Sequence, residues 1–345
     1  NASPTGAQAV VDQHKLEMDT WMLKLKTTKS LAGMRAALDD KPDIKKFRSK
    51  MIKEIGASLS RGWTLKYSIW LLENGDLGEK DTDYILNFAE KFHLKSKDLA
   101  RFCYAVVYAN KPINEKKKFI DLALKNIKDP KQKGVANLSL AVLLRGFGDT
   151  ALNNARRLAL IKNAIIESAE VNLGGSSVGE IAMEEVYRIK HLSKGRPAPA
   201  LVGKDSSDQE VKLANYKGRV VMLVFWSSWD LYNKETDKND KTQDLLAMLK
   251  AIEKQFIGKP FALLGVNRDF ISNLRGMEKE GLVAGKTISD SNELLYRQYR
   301  VKVPPMCFVI DQKGVIQYQG ELGAFATLTA ESLLDPVVPA TKTQP

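Results

Sequence analysis

The chain has 345 residues, is 44% hydrophobic, and sets 53 lysines and arginines against 41 acidic residues for a formal charge of +12. That length and composition exclude a disordered or fibrous protein and allow two ordinary domains, each with its own core. Even the most apolar run, Val220–Trp226, falls far short of the roughly 20 residues that span a bilayer, so no transmembrane segment is expected. The positive charge invites an anionic partner. The lysines, however, are scattered over helical surfaces, and the densest run, Lys116-Lys117-Lys118, directly precedes an apolar helix face. With neither an aromatic-glycine RNA motif nor zinc-finger spacing, nucleic acid is not an expected partner. The sequence opens on Asn1-Ala2-Ser3 rather than Met, which suits either an expression scar or a trimmed mature form.

From residue 1 to 192 the pattern predicts an all-helical domain, with apolar residues at three- and four-residue spacing between short polar breaks. Ile85, Phe88, Ala89 and Phe92 make one stripe. Leu99, Phe102, Cys103, Val106 and Val107 make the next, and Phe119, Ile120, Ala123, Leu124 and Ile127 a third. The breaks carry their own chemistry. Asn74-Gly75 can end a helix in a left-handed turn, Asp129-Pro130 disfavours continuation, and Ser177 with Glu180 forms a capping box. Helix pairs recur about every 35 residues without an exact repeat, which fits an irregular helical-hairpin array or a compact bundle. Trp21, Trp63 and Trp70 read as core. His14, His93 and His191 are widely separated and lack paired ligands, so no metal is expected, and no cofactor motif is present.

A linker follows at 193–200, where Gly195 is combined with Pro197 and Pro199. From 201 to 345 the periodicity becomes strand-like. Val220 to Phe225, Phe261 to Val266 and Cys307 to Ile310 are continuous apolar runs, as expected of strands covered on both faces by helices. Leu245, Leu246, Leu249, Ile252 and Phe256 supply the helix of a β-α-β unit, and a turn at Asp311 to Gly314 sends a returning strand through Tyr318. The expected fold class is therefore α plus α/β: an all-helical domain followed by a mixed central sheet flanked by helices.

The second half also resembles a known family. Gly195-Arg196-Pro197-Ala198-Pro199, Val211 to Val221, Phe225-Trp226-Ser227-Ser228-Trp229, Val266-Asn267-Arg268-Asp269 and Tyr299 to Asp311 resemble, in order and spacing, the exported thioredoxin-like proteins of the TlpA and ResA type, within the wider group of redoxins and peroxiredoxin-like domains. The resemblance implies a thioredoxin-like fold, an extracytoplasmic location, either periplasmic or secreted, and a cis-proline at Pro305. It also implies thiol-disulfide oxidoreductase or peroxiredoxin-like chemistry, and here the chain departs from the pattern. The family carries Cys-x-x-Cys directly after the tryptophan, at a helix start that favours thiolate. This chain has Asp230-Leu231-Tyr232-Asn233 instead.

Neither Asp nor Asn forms a mixed disulfide, so the exchange lacks both of its sulfurs. No catalytic residue is expected. Asp230 is expected to stay ionised as a helix cap. The candidate site is a vestigial redox site or binding groove made of Trp226, Trp229, Asp230, Tyr232, Asn233, Pro304 and Pro305, set to recognise a protein or peptide partner, or kept only as a relic of the fold. Cys307, two residues past Pro305, is either strand packing or a lone reactive thiol. An oxidoreductase, and a scaffold acting through the helical domain, are the competing functions.

Overall fold

The computed structural model describes residues 4–28, 30–228, 230 and 245–334. It divides into two compact units, residues 1–24 with 41–189 and residues 25–40 with 190–345.

The first unit is helical. In chain order the helices of the N-terminal stretch are α1 (Pro4–Thr27), α2 (Leu31–Asp39), α3 (Ile44–Ile55), α4 (Leu65–Asn74), α5 (Glu79–Phe92), α6 (Leu99–Val107), α7 (Ile113–Asn126), α8 (Pro130–Leu144), α9 (Ala151–Ser168) and α10 (Val178–Tyr187). Helix α8 lies at the centre of this unit, apolar almost all round, and packs against α6, α7 and α9. Gly134 brings α8 and α9 close together: a Cβ there would lie 1.9 Å from Ser168 Oγ. Polar starts fix the helix ends. Asp129 accepts from Gln132 N–H with Pro130 in the first turn, and Ser177 and Glu180 cap each other reciprocally.

Two details differ from the sequence expectation. Gly75 is right-handed at φ −80°, at a position where a Cβ would meet the Leu71 carbonyl at 2.6 Å, and Asp76 takes the left-handed turn instead. Phe92, at the end of its stripe, is 45% exposed and stacks on Phe88.

The second unit is built on a seven-stranded sheet of order β2-β1-β5-β4-β3-β6-β7. Its strands are β1 (Val202–Asp205), β2 (Glu210–Lys212), β3 (Val220–Trp226), β4 (Phe261–Asn267), β5 (Lys286–Ser289), β6 (Met306–Ile310) and β7 (Ile316–Gly320). Strands β3, β4 and β5 run parallel, while β6 pairs antiparallel with β3, β7 with β6, and β1 with β5. Helices α11 (Leu245–Gln255), α12 (Ile271–Lys279), α13 (Leu294–Gln298) and α14 (Ala324–Leu334) complete the unit.

Alternation along β3 divides the core in two. Met222, Val224 and Trp226 pack with residues of α11, α12 and α14, and Phe225 turns to the other face against Tyr296, Tyr299 and Phe308. The expected linker is not a free tether: Gly195 N–H donates to Ile316 O and Ala198 N–H to Gly314 O, laying this segment beside the start of β7. Helix α2 is helical as the pattern implies, but it belongs to this second unit.

Candidate functional site

At its carboxyl end β3 passes from Trp226 into Ser227 and Ser228, both buried. Asp230 stands one turn on. Its carboxylate reaches back to accept from Ser227 N–H at 2.6 Å and Ser227 Oγ at 2.9 Å. Burial pushes this carboxyl above the ordinary carboxylate range, although the two Ser227 bonds and Arg268 act against the shift. The direction is opposite to the one expected of a carboxylate at a helix start, and burial is its largest cause.

The adjacent strand contributes a second carboxylate. Asp269, just past β4, accepts from Ser228 N–H at 2.7 Å, Ser228 Oγ at 3.1 Å and Asn267 Nδ2 at 2.9 Å. Burial raises its pKa as well, against the pull of these bonds and of Arg268. Tyr296 Oη donates to Trp226 O at 2.8 Å, which ties α13 to the end of β3, and the Arg268 guanidinium lies 5.3 Å from the Tyr296 ring. Serine and aspartate at these positions thus knit the ends of two parallel strands into one buried polar cluster.

Helix α2 closes over part of that cluster. Ser30 caps it by accepting from Gly33 N–H at 3.1 Å, and Met34, Ala37 and Leu38 bury one face. The Met34 thioether receives the Ser228 hydroxyl and lies 3.9 Å from Asn273 Nδ2 on α12. Arg35 pairs with Glu280 just beyond α12. This segment gave no sequence signal of a role at the site. Nine residues of helical pattern specify a helix but not where it docks.

The structure brings only some of the expected site residues together. Trp226 is 2% exposed and belongs to the core, because its place in the β3 alternation points it inward, so it cannot line a groove. The Pro304–Pro305 bond is cis, and the Phe225–Met306 register sets Pro305 beside the exit of β3. Pro305 is exposed, Pro304 is half-buried, and the preceding Val303 is 80% exposed. Trp229, Tyr232 and Asn233 lie outside the described residues. Cys307 sits opposite Val224 inside the sheet, is fully buried, and has its thiol pKa pushed up by desolvation. Burial among apolar side chains disfavours both the thiolate and access to it, which weighs against the reactive reading. Among the described residues no group of three His, Cys, Asp or Glu side chains could hold a metal ion. A cavity of about 250 Å³ in this unit opens at the opposite end of β3, beside Val221, Ile310, Leu213 and Tyr216, away from the cluster.

Residues 194–319 match the AhpC/TSA family. Among solved structures, the thioredoxin domain of a thiol-disulfide oxidoreductase from Bacteroides vulgatus is similar at 21% identity, covering 41% of this chain and 99% of that one, with a TM-score of 0.34. A thiol-disulfide oxidoreductase from Bacteroides fragilis is similar at 20% identity over 40% of this chain and 100% of that one, TM-score 0.34. A thiol:disulfide interchange protein from a Bacteroides species is similar at 20% identity over 44% and 95%, TM-score 0.33. No curated protein matches the chain.

Proposed function

Since residues 194–319 form a thioredoxin-like domain of the AhpC/TSA type, we propose that this unit has given up dithiol chemistry and serves to bind a protein or peptide. One observation carries the reading. The only two cysteines of the sequence, Cys103 and Cys307, are both fully buried, and the helix start where the family holds its nucleophile carries Asp230, bonded back to Ser227. Disulfide exchange needs an accessible thiolate, and a carboxylate forms no mixed disulfide. Recognition of an extended or helical segment needs neither; it uses shape, backbone groups and apolar anchors, such as those around Val303, Pro304 and Pro305.

Resemblance to exported TlpA- and ResA-type proteins supports an extracytoplasmic site of action. Among the described residues no helix is long and apolar enough to cross a membrane. Cell fractionation with compartment markers tests the location. The activity is tested with the full chain in an insulin-reduction assay with dithiothreitol and in a peroxide-consumption assay. Rates should equal those of buffer. Turnover that vanishes in Cys307→Ser would overturn the reading and restore the oxidoreductase alternative.

A further inference from the structure

We propose that the crevice at the carboxyl ends of β3 and β4 is a docking site for a short amphipathic helix, and that α2 is its releasable occupant, a ligand supplied by the chain itself. This rests on the binding reading above and names the kind of partner: a helix with a Met or Gln anchor, a basic residue next to it, and apolar residues three and four positions on.

Three observations support the inference. The first is the mode of seating. Helix α2 is a separate piece of the second unit, and its Met34 meets a serine 194 residues later in the sequence. It buries Met34, Ala37 and Leu38, the i, i+3, i+4 anchors by which an amphipathic helix lies in a groove, while Ala32, Ala36 and Asp39 face water.

The second is the chemistry of the seat. Asn273 Nδ2 lies 3.9 Å from the Met34 sulfur, a weak acceptor, and the single hydrogen of Ser228 Oγ is shared between that sulfur and the Asp269 carboxylate. Asn273 is completely buried, and its Oδ1 has no partner among the described residues. Most buried polar groups in a folded protein have a partner. A glutamine in place of Met34 has nearly the same length and offers a carbonyl to Ser228 and an amide N–H to Asn273, so an incoming helix with that residue has the advantage over α2.

The third is the rim. Arg35 and Glu280 form an ion pair, with side chains 40% and 44% exposed, that orients the helix without locking it.

The test uses the full chain and a fluorescein-labelled peptide of residues 30–40. Tethering holds α2 at an effective concentration on the order of millimolar, so the wild type should show no saturable binding at micromolar peptide. Met34→Glu unseats α2 and should bind the peptide at least about tenfold more tightly than the wild type. A peptide carrying Met34→Gln should bind more tightly still, and one carrying Met34→Glu should not bind. Equal titrations for wild type and variant would overturn the proposal, as would absence of binding to a variant that keeps its near-ultraviolet circular dichroism and cooperative melt.

Hydrogen exchange on the wild type decides the matter if Met34→Glu does not fold. Amides of α2 exchanging faster than those of β3 support release, and equal protection makes α2 a fixed core element and sinks the idea. Failure of the parent reading looks different, because it shows as disulfide reductase turnover whatever the peptide does.

Discussion

Ser227 gives both its backbone N–H and its hydroxyl to one oxygen of Asp230, at 2.6 and 2.9 Å. This is the back-reaching half of a capping box, with the acid three residues beyond the serine. Asp230→Ala should therefore cost about 1–2 kcal/mol by urea unfolding, the usual loss for a cap that leaves a buried donor unpaired. Asp230→Asn, which keeps an acceptor, should lose less than half of that. Equal losses would mean that charge, not the hydrogen bonds, holds the turn.

Asp230 and Asp269 both have raised pKa values, chiefly from burial. An acid raised in the folded state keeps its proton longer there than in the unfolded chain. Its contribution to stability is complete below the ordinary carboxylate value of about 4 and is lost as pH rises through the raised folded value. Urea midpoints of the wild type should accordingly carry a falling component just above that value. The double variant Asp230→Asn, Asp269→Asn should lack it, so the two curves converge as pH drops and separate as it rises. Parallel curves would show that burial does not control these groups.

Cys103 and Cys307 are both fully buried, and desolvation raises both thiols. Native protein should show no fast reaction with a maleimide at neutral pH, whereas urea-unfolded protein should take up two equivalents, one for each cysteine of the sequence. Mass spectrometry after brief labelling reads this directly. A singly labelled native species at Cys307 would restore the lone-thiol reading.

Gly265, within β4, backs onto the Trp226 indole. A Cβ there would lie 2.5 Å from Thr287 Oγ1 and 2.8 Å from Trp226 Nε1. Gly265→Ala should destabilise by about 1–3 kcal/mol through overpacking. The Thr287 hydroxyl is itself buried with no partner among the described residues. Thr287→Val, of the same shape, should be neutral or stabilising by up to about 1 kcal/mol. Thermal melts of the two variants, moving in opposite directions, check both statements.

In the helical unit, Arg157 is buried and donates to Glu185 Oε2 at 2.8 Å, while Arg145 donates to Oε1 of the same carboxylate at 2.9 Å. Removing the shared acceptor leaves a buried guanidinium short of its counter-charge. Glu185→Ala should cost about 3–5 kcal/mol, with Glu185→Gln intermediate, both measured by urea denaturation.

How much of this was legible in the sequence depended on how local the cause was. Ser177 with Glu180, Asp129 with Pro130 and the apolar run of β3 each state their structure within a few residues, and the helices and central strands follow. Strands β1, β2 and β5 are only three or four residues long and partly exposed, so alternation had too little length to declare them. At Asp230 a helix start argues for charge locally, while the burial that raises its pKa comes from residues distant in sequence. At Trp226 the sequence shows the aromatic neighbourhood but not the side of the sheet on which the indole lies. Met34 and Arg157 share a limit: a side chain's partner across the fold leaves no mark on its own segment.

The split make-up of the second unit also bears on how the protein is made. A ribosome delivers α1 and α2 first, then the rest of the helical unit, and only later Ser228, 194 residues behind Met34. At about 5–20 residues per second that interval lasts roughly 10 to 40 s. Throughout it the nascent chain carries a short helix-forming segment whose Met34, Ala37 and Leu38 have nothing of their own to cover them. Whatever escorts this polypeptide before β3 and β4 are complete must shield that small apolar stripe and then surrender it.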